Sequence, residues 1–167
     1  MMGTGICLVC LLALPEVERD VAIKHFEITQ GLQRKANDMP LVAGKPTVIR
    51  VFPQVIDGGD PIGGISARVH AIRAGQELQG SPISPNNGPI TARSCFSRLM
   101  PQDSLNFTLD PDWYAKETEF WSELILPPGI VDLRPDDNRF PSGNATFTAR
   151  YQPRRGLRIL HLSAVYA

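Results

Sequence analysis

Apolar and polar residues alternate with a period of two in short runs along most of this chain. Within the first run, Phe26 and Ile28 fall on one face and Val21 and Ile23 on the other. Alternation of this kind predicts β-strands, and the Gly- and Pro-rich segments between the runs predict turns. The predicted strands are Val21–Thr29, Thr47–Val55, Ile65–Arg73, Leu105–Leu109, Phe120–Leu126, Ala145–Tyr151 and Leu157–Tyr166.

These runs predict an all-β fold of about seven to eight strands with almost no helix. The exception is Asp112–Thr118, where an Asp-Pro-Asp start predicts one helical turn. Short strands joined by frequent turns typically form two antiparallel sheets that pack face to face. The sequence therefore predicts an antiparallel β-sandwich, and a closed barrel is the competing fold.

The composition is that of one globular domain without a strong electrostatic field. Of the 167 residues 43% are hydrophobic and 20% are charged, and 17 basic residues balance 17 acidic ones. A chain without net charge has no general attraction for nucleic acid or for an anionic membrane. The densest basic group, formed by Arg154, Arg155 and Arg158, is interpreted as a solvated cluster at a strand end. We therefore expect no nucleic-acid partner.

An apolar run, Ile6–Leu14, lies near the start of the chain. It is shorter than the roughly 20 residues that a membrane-spanning helix needs, so no stable membrane span is expected. Its length suits the hydrophobic region of a signal peptide, although no Lys or Arg precedes it. The run predicts a secreted or cell-surface protein; the alternative is a terminal segment that packs on the domain.

The predicted organisation has three parts. Residues 1–20 form the signal-like apolar segment, and residues 21–153 form the sandwich. Residues 154–167 supply an additional strand or the start of a truncated following domain.

The sequence lacks the familiar motifs of catalysis. Its three histidines are isolated from one another: His25, His70 and His161. They fit neither His-Glu-x-x-His nor a Cys–His zinc spacing, and no Gly-x-Ser-x-Gly or phosphate-binding glycine motif occurs. Cys7 and Cys10 lie inside the apolar run, and Cys95 is expected to be a small buried hydrophobe. We therefore predict that this chain is not itself an enzyme.

Oxygen-bearing side chains do cluster in one predicted turn. They are Asp132, Asp136, Asp137 and Asn138, and a second pair, Asp57 and Asp60, flanks two glycines. Calcium prefers such carboxylate and carbonyl oxygens. However, neither stretch matches the Asp-x-Asp-x-Asp-Gly loop, and Asp and Asn also form turns for backbone reasons. Calcium at the first cluster is one hypothesis, and a purely structural turn is the alternative; no other cofactor is predicted.

A group of aromatic residues could form a surface for glycans or a protein partner. Its members are Trp113, Tyr114, Phe120 and Trp121. Because neighbours on a strand point to opposite faces, one of Phe120 and Trp121 must point outward. Core packing or a domain interface is the favoured interpretation of the set. Two glycan-acceptor triplets, at Asn106 and Asn144, lie in or beside predicted strands and are interpreted as chance matches.

Three segments together suggest a family. They are Ile28–Gln33 followed by Pro40–Val51, then Ser104–Leu109 with a Trp and a strand ending in Pro-Pro-Gly, and last Val131–Asn138. Over residues 21–153 the chain resembles the immunoglobulin-like modules of secreted bacterial and archaeal proteins related to the cell-adhesion-related CARDB domains. The resemblance implies an immunoglobulin-like β-sandwich, which in some such proteins precedes a zinc metallopeptidase domain.

The expected function is that of a non-catalytic extracellular module: a spacer, adhesion or accessory domain of a larger secreted protein. Its expected partners are neighbouring domains or another surface protein. Two alternatives remain open at this point. The chain could be a fragment of a secreted zinc metallopeptidase whose catalytic domain lies elsewhere, or a calcium- or carbohydrate-binding module.

Overall fold

The computed structural model of the protein describes residues 16–153, which form an all-β fold. The predicted strand Leu157–Tyr166 and the apolar run Ile6–Leu14 lie outside the described residues. The strands are β1 Val17–Arg19, β2 Val21–Thr29, β3 Leu41–Val42, β4 Val48–Val55, β5 Ile62–Arg73, β6 Gln76–Glu77, β7 Ile90–Ala92, β8 Leu105–Thr108, β9 Thr118–Ile125, β10 Ile130–Asp132, β11 Arg139–Phe140, β12 Phe147–Ala149 and β13 Tyr151–Gln152.

Two antiparallel sheets make up the body of the fold. The first has the order β2-β4-β8, and the second has β5 and β9 at its centre. Strands β11 and β12 extend the second sheet beyond β9, while β6 and β7 extend it beyond β5. The sheets do not close into a barrel within the described residues, so the predicted sandwich is confirmed at this level.

The core lies between the two sheets and follows from the alternation in the sequence. On the first sheet Phe26 is opposite Val51 and Ile28 is opposite Ile49. They meet the small residues of β5 and the ring of Phe120 from β9, all in one buried cluster. A smaller apolar cluster lies at the end of the sandwich where β2 begins: Val21, Val55, Ile62, Ile65 and Ala92.

Two short strand pairs are parallel, which the prediction of a purely antiparallel fold did not include. Strand β1 pairs with β10, with Val17 opposite Ile130, and β13 pairs with β3, with Tyr151 opposite Leu41. Parallel pairing is available here because each pair joins segments far apart in the chain, without a tight hairpin between them.

The polypeptide enters the sandwich at one end and leaves β13 at the other. Strand β1 leads directly into Val21, which is opposite Val55 at the first end of β2. Strand β13 pairs with β3. The backbone amide and carbonyl of Val42 in β3 are both hydrogen-bonded to the side chain of Gln30, the residue that directly follows the second end of β2. The two ends are therefore separated by about 30 Å, the length of a nine-residue strand.

Side-chain amides close both edges of the first sheet. On the β2 edge, Asn37 donates to the carbonyl of Phe26 and accepts from the amide of Ile28. On the β8 edge, the side chain of Asn87 accepts from the amide of Asn106, and that of Asn86 accepts from Thr108. These backbone groups would otherwise be open to pairing with another strand. The loops thus protect the sheet from edge-to-edge association.

The outer face of the first sheet is covered by the segment that precedes β8. Phe96 packs against the rings of His25 and Phe52, with centroids 6.3 and 4.9 Å away. Next to it, Arg98 binds the carboxylate of Glu27, which is only 4% exposed. The outer face of this sheet is therefore covered around His25, Glu27 and Phe52.

Candidate functional site

The strongest candidate site is a group of three carboxylates at the entry end of the sandwich. Asp20 lies between β1 and β2, Asp132 ends β10, and Asp137 lies in a 3-10 turn, Pro135–Asn138. One carboxylate oxygen from each lies within 4.8 Å of the others. The parallel pairing of β1 with β10 brings them together, because it places Arg19 opposite Asp132. We call these three residues the acidic trio.

Backbone and arginine contacts orient the acidic trio. Asp132 accepts hydrogen bonds from the amides of Val21, at 3.1 Å, and of Arg134, at 2.7 Å. The guanidinium of Arg134 donates twice to the same oxygen of Asp20, Oδ2, at 2.9 and 2.6 Å. It lies 3.9 Å from Asp137. Arg134 therefore interacts with the carboxylates of both Asp20 and Asp137, and Oδ1 of each remains without a hydrogen bond.

The oxygens without partners are buried. Asp20 is 8% exposed, and its Oδ1 has no hydrogen-bond partner within the described residues. The same holds for Oδ1 of Asp137 and Oδ1 of the neighbouring Asn138. Burial, followed by the negative charge of Asp20, raises the pKa of Asp137. Both effects disfavour the ionised form of the Asp137 carboxyl.

The predicted calcium ligands are divided by the structure. Asp132 and Asp137 belong to the acidic trio, and Asn138 lies beside it with a buried oxygen. Asp136 is exposed and stands outside the trio. The sequence reasoning did not find Asp20, which lies more than a hundred residues from the other two and shows no local motif.

The second predicted pair, Asp57 and Asp60, serves a different purpose. Asp57 binds the guanidinium of Arg19 at 2.9 Å and accepts from the amide of Asp20. These contacts, with the Arg19 hydrogen bond foremost, hold the pKa of Asp57 well below its usual range. Asp60 accepts a hydrogen bond from Arg19 through its backbone carbonyl. The pair fixes the Asp57 turn against β1.

The aromatic residues proposed for a glycan or partner surface occupy two environments. Trp113 is 1% exposed, Tyr114 is buried, and both belong to the core with Phe120. The surface hypothesis is therefore wrong for Trp113, which ends the 3-10 turn Pro111–Trp113, and for Tyr114, which follows it, because both side chains are buried. The favoured core interpretation holds for these residues.

Trp121 is the outward-facing member of the set, and its ring is covered. The imidazole of His70 stacks on it with a centroid distance of 3.7 Å, and the guanidinium of Arg139 lies 4.4 Å from its centroid. These residues come from β5 and β11, which flank β9 on opposite sides, so they cover the two faces of the indole. A sugar would have to displace one of them in order to stack there.

The remaining candidate residues have structural contacts. His25 is buried against Phe96, and burial is the main cause that lowers its pKa. His70 lies between the carboxylates of Glu77 and Glu123; His161 is outside the described residues. Cys95 is exposed, so its predicted burial is wrong. Its neighbour Phe96 is the residue that packs on the sheet, against the rings of His25 and Phe52.

The glycan-acceptor asparagines differ in accessibility. The side chain of Asn106 is bonded to Ser104 and to Arg50, whereas Asn144 is exposed in the loop before β12. A cleft of about 650 Å³ lies beside the Trp113 turn, between Arg73, Asp110 and Lys116. The guanidinium of Arg73 is already bound to backbone carbonyls of Asp112 and Glu117, so it offers little to a ligand.

Comparison with known proteins assigns no family to this chain: no protein-family model matches it, and no curated protein matches its sequence. The resemblance to CARDB-related modules therefore stays a prediction. Within residues 16–153, none of the helical segments has the length and apolar character needed to cross a membrane.

Proposed function

We propose that this chain is a non-catalytic β-sandwich module that acts as a spacer between neighbouring domains of a larger extracellular protein. The observation that carries the proposal is the placement of the entry and exit strands at opposite ends of the sandwich. A domain attached before β1 and another attached after β13 would be held apart by the length of the sandwich, about 30 Å.

The terminal strand pairs suit a spacer that bears tension. Val17 donates to the carbonyl of Gly129 at 2.8 Å, and Leu133 donates to the carbonyl of Arg19 at 2.7 Å. At the other end, Ala43 donates to Gln152 at 2.7 Å. The hydrogen bonds of a parallel pair are evenly spaced and slanted, and they cross from one strand to the other. If β1 and β13 are pulled from opposite ends of the sandwich, the force acts on all hydrogen bonds of a strand pair at once. The hydrogen bonds of the pair then do not break one after another.

Two further features support a module that works in a series. Amide side chains close both edges of the first sheet, so copies or neighbouring modules are discouraged from pairing edge to edge. The apolar run Ile6–Leu14 supports export, as a signal-like segment would. The adhesion and accessory roles differ from the spacer role only in having a specific partner surface.

Single-molecule pulling on the full chain tests the load-bearing role. The chain is held by handles at its two ends, and its unfolding force is compared with that of Leu133→Pro and Leu133→Ala. Proline removes the amide that bonds Arg19, whereas alanine keeps it. Leu133 is 53% exposed, so the loss of its side chain should matter little.

The spacer proposal predicts that Leu133→Pro lowers the unfolding force and that Leu133→Ala leaves it unchanged. Equal forces for all three proteins would show that the β1–β10 pair bears no load, and would overturn the proposal.

A further inference from the structure

The acidic trio has the composition of a site for a hard cation. Its donors are carboxylate oxygens of Asp20, Asp132 and Asp137, with no sulfur or imidazole among them. Calcium and magnesium take oxygen ligands, whereas zinc and copper favour nitrogen and sulfur. Calcium accepts irregular geometry more readily than magnesium, which demands near-ideal octahedral coordination.

The second and independent observation is the set of buried oxygens that have no hydrogen bond. Asp20 is more than nine-tenths buried, and its Oδ1 lacks a partner because both contacts from Arg134 go to Oδ2. Oδ1 of Asp137 is also buried and unpartnered. A buried charged acceptor without a donor is costly, so a native fold rarely leaves two of them in one cluster of side chains.

The local charges leave room for a cation. The three carboxylates lie near two basic side chains, those of Arg134 and Lys24. The positive charge of each of these side chains acts on Asp137. The side chain of Arg134 is 57% exposed, and both of its hydrogen bonds to Asp20 go to the same oxygen, Oδ2. Negative charge therefore remains in excess near the buried oxygens, which favours the binding of a cation.

We propose that the acidic trio binds calcium, with Oδ1 of Asp20 and the carboxylates of Asp132 and Asp137 as ligands. The ion would join the β1–β2 junction to the segment that follows β10, and so fasten the strand by which the chain enters the sandwich. The proposal stands on the geometry of the trio and does not depend on the spacer role, so either can fail alone.

The test measures thermal unfolding of the full chain in EDTA and in calcium chloride. Calcium affinities of extracellular modules commonly lie at about 0.1–1 mM. A concentration near ten times the dissociation constant would stabilise the fold about elevenfold and raise the Tm by roughly 5 °C. Asp137→Asn should abolish this rise. Asp136→Asn is the matched control, because Asp136 lies in the same 3-10 turn but is exposed.

Calorimetric titration of the unaltered chain with calcium chloride keeps the proposal falsifiable if a variant fails to fold. The expected result is saturable binding that Asp136→Asn retains and Asp137→Asn loses. If the chain shows neither binding heat nor a Tm rise at about 5 mM calcium, a concentration above the usual range, the trio is an ion-pair cluster only. A calcium-induced rise that persists in Asp137→Asn would equally overturn the assignment.

Discussion

Asn37 is paired with the backbone of Phe26 as a neighbouring strand would be: its Nδ2 donates to the Phe26 carbonyl at 2.6 Å. Its Oδ1 accepts from Ile28 at 3.0 Å, and its backbone has a φ of 55°, which Asn tolerates better than most residues. One side chain therefore satisfies two backbone groups on an otherwise open edge.

Replacing this amide nitrogen should destabilise the fold. Asn37→Asp keeps an acceptor for Ile28 and a residue that tolerates positive φ, but it removes the donor to Phe26 and sets two oxygens against each other. We expect a loss of about 1–3 kcal/mol in the free energy of unfolding, measured in urea. Asn144→Asp, the same change at an exposed position, should stay within about 0.5 kcal/mol. Equal effects at both positions would contradict the role given to Asn37.

The buried pair of Glu27 and Arg98 should respond asymmetrically to substitution. Arg98→Met leaves the carboxylate of Glu27 buried without its main partner and should cost about 3–5 kcal/mol in unfolding free energy. Glu27→Met combined with Arg98→Met removes both charges and should recover much of that loss. Chemical denaturation of the single and double variants measures the coupling. A double variant no more stable than Arg98→Met would contradict the predicted recovery.

Arg139 should hold the loop before β12 as well as cover Trp121. Its guanidinium donates to the carbonyls of Pro141, Gly143 and Ala145. Arg139→Ala should lower the unfolding free energy by about 1.5–3 kcal/mol and shift the Trp emission to longer wavelength, because one face of the indole becomes solvated. Arg150→Ala removes an exposed ion pair with Glu117 and should change neither reading. An unchanged emission spectrum in Arg139→Ala would contradict the covered position of Trp121.

Stability should fall in mild acid because of His25. Its pKa in the folded state is lowered from 6.5, with burial as the largest cause and the charge of Arg98 next. Below pH 6.5 the unfolded chain therefore binds a proton that the folded chain resists, so the free energy of unfolding decreases as the pH falls. His25→Phe removes the group and should flatten this dependence between pH 7 and 5. If the free energy of unfolding falls equally steeply with pH in the unaltered protein and in His25→Phe, groups other than His25 cause the loss of stability.

The strands of the sandwich could be predicted from sequence because each buries one face, and this requirement produces a period of two. The predicted strand Val21–Thr29 is found with the same bounds. The edge contacts of Asn37 could not be predicted, since Asn in a polar loop indicates a turn whether or not its amide reaches a strand.

The acidic trio was only partly predictable for a different reason. Asp132 and Asp137 are close in the sequence, and their local density indicated an oxygen-rich turn. Asp20 joins them through the parallel pairing of β1 with β10. A local sequence pattern does not predict which distant strands will pair. The exposure of Cys95 was missed similarly, because it depends on the direction that Phe96 takes over the outer face of the first sheet.

The central claim is that the chain enters and leaves the sandwich at opposite ends, and a distance measurement tests it most directly. Spin labels are attached through genetically encoded keto amino acids at Val17 and Gln152 of the full chain, which leaves the native cysteines in place. A label pair at Glu18 and Val131, which are opposite each other on β1 and β10, is the short-distance control. The account predicts a narrow distribution centred at or above about 30 Å for Val17 and Gln152. A distance as short as that of the control pair would contradict it.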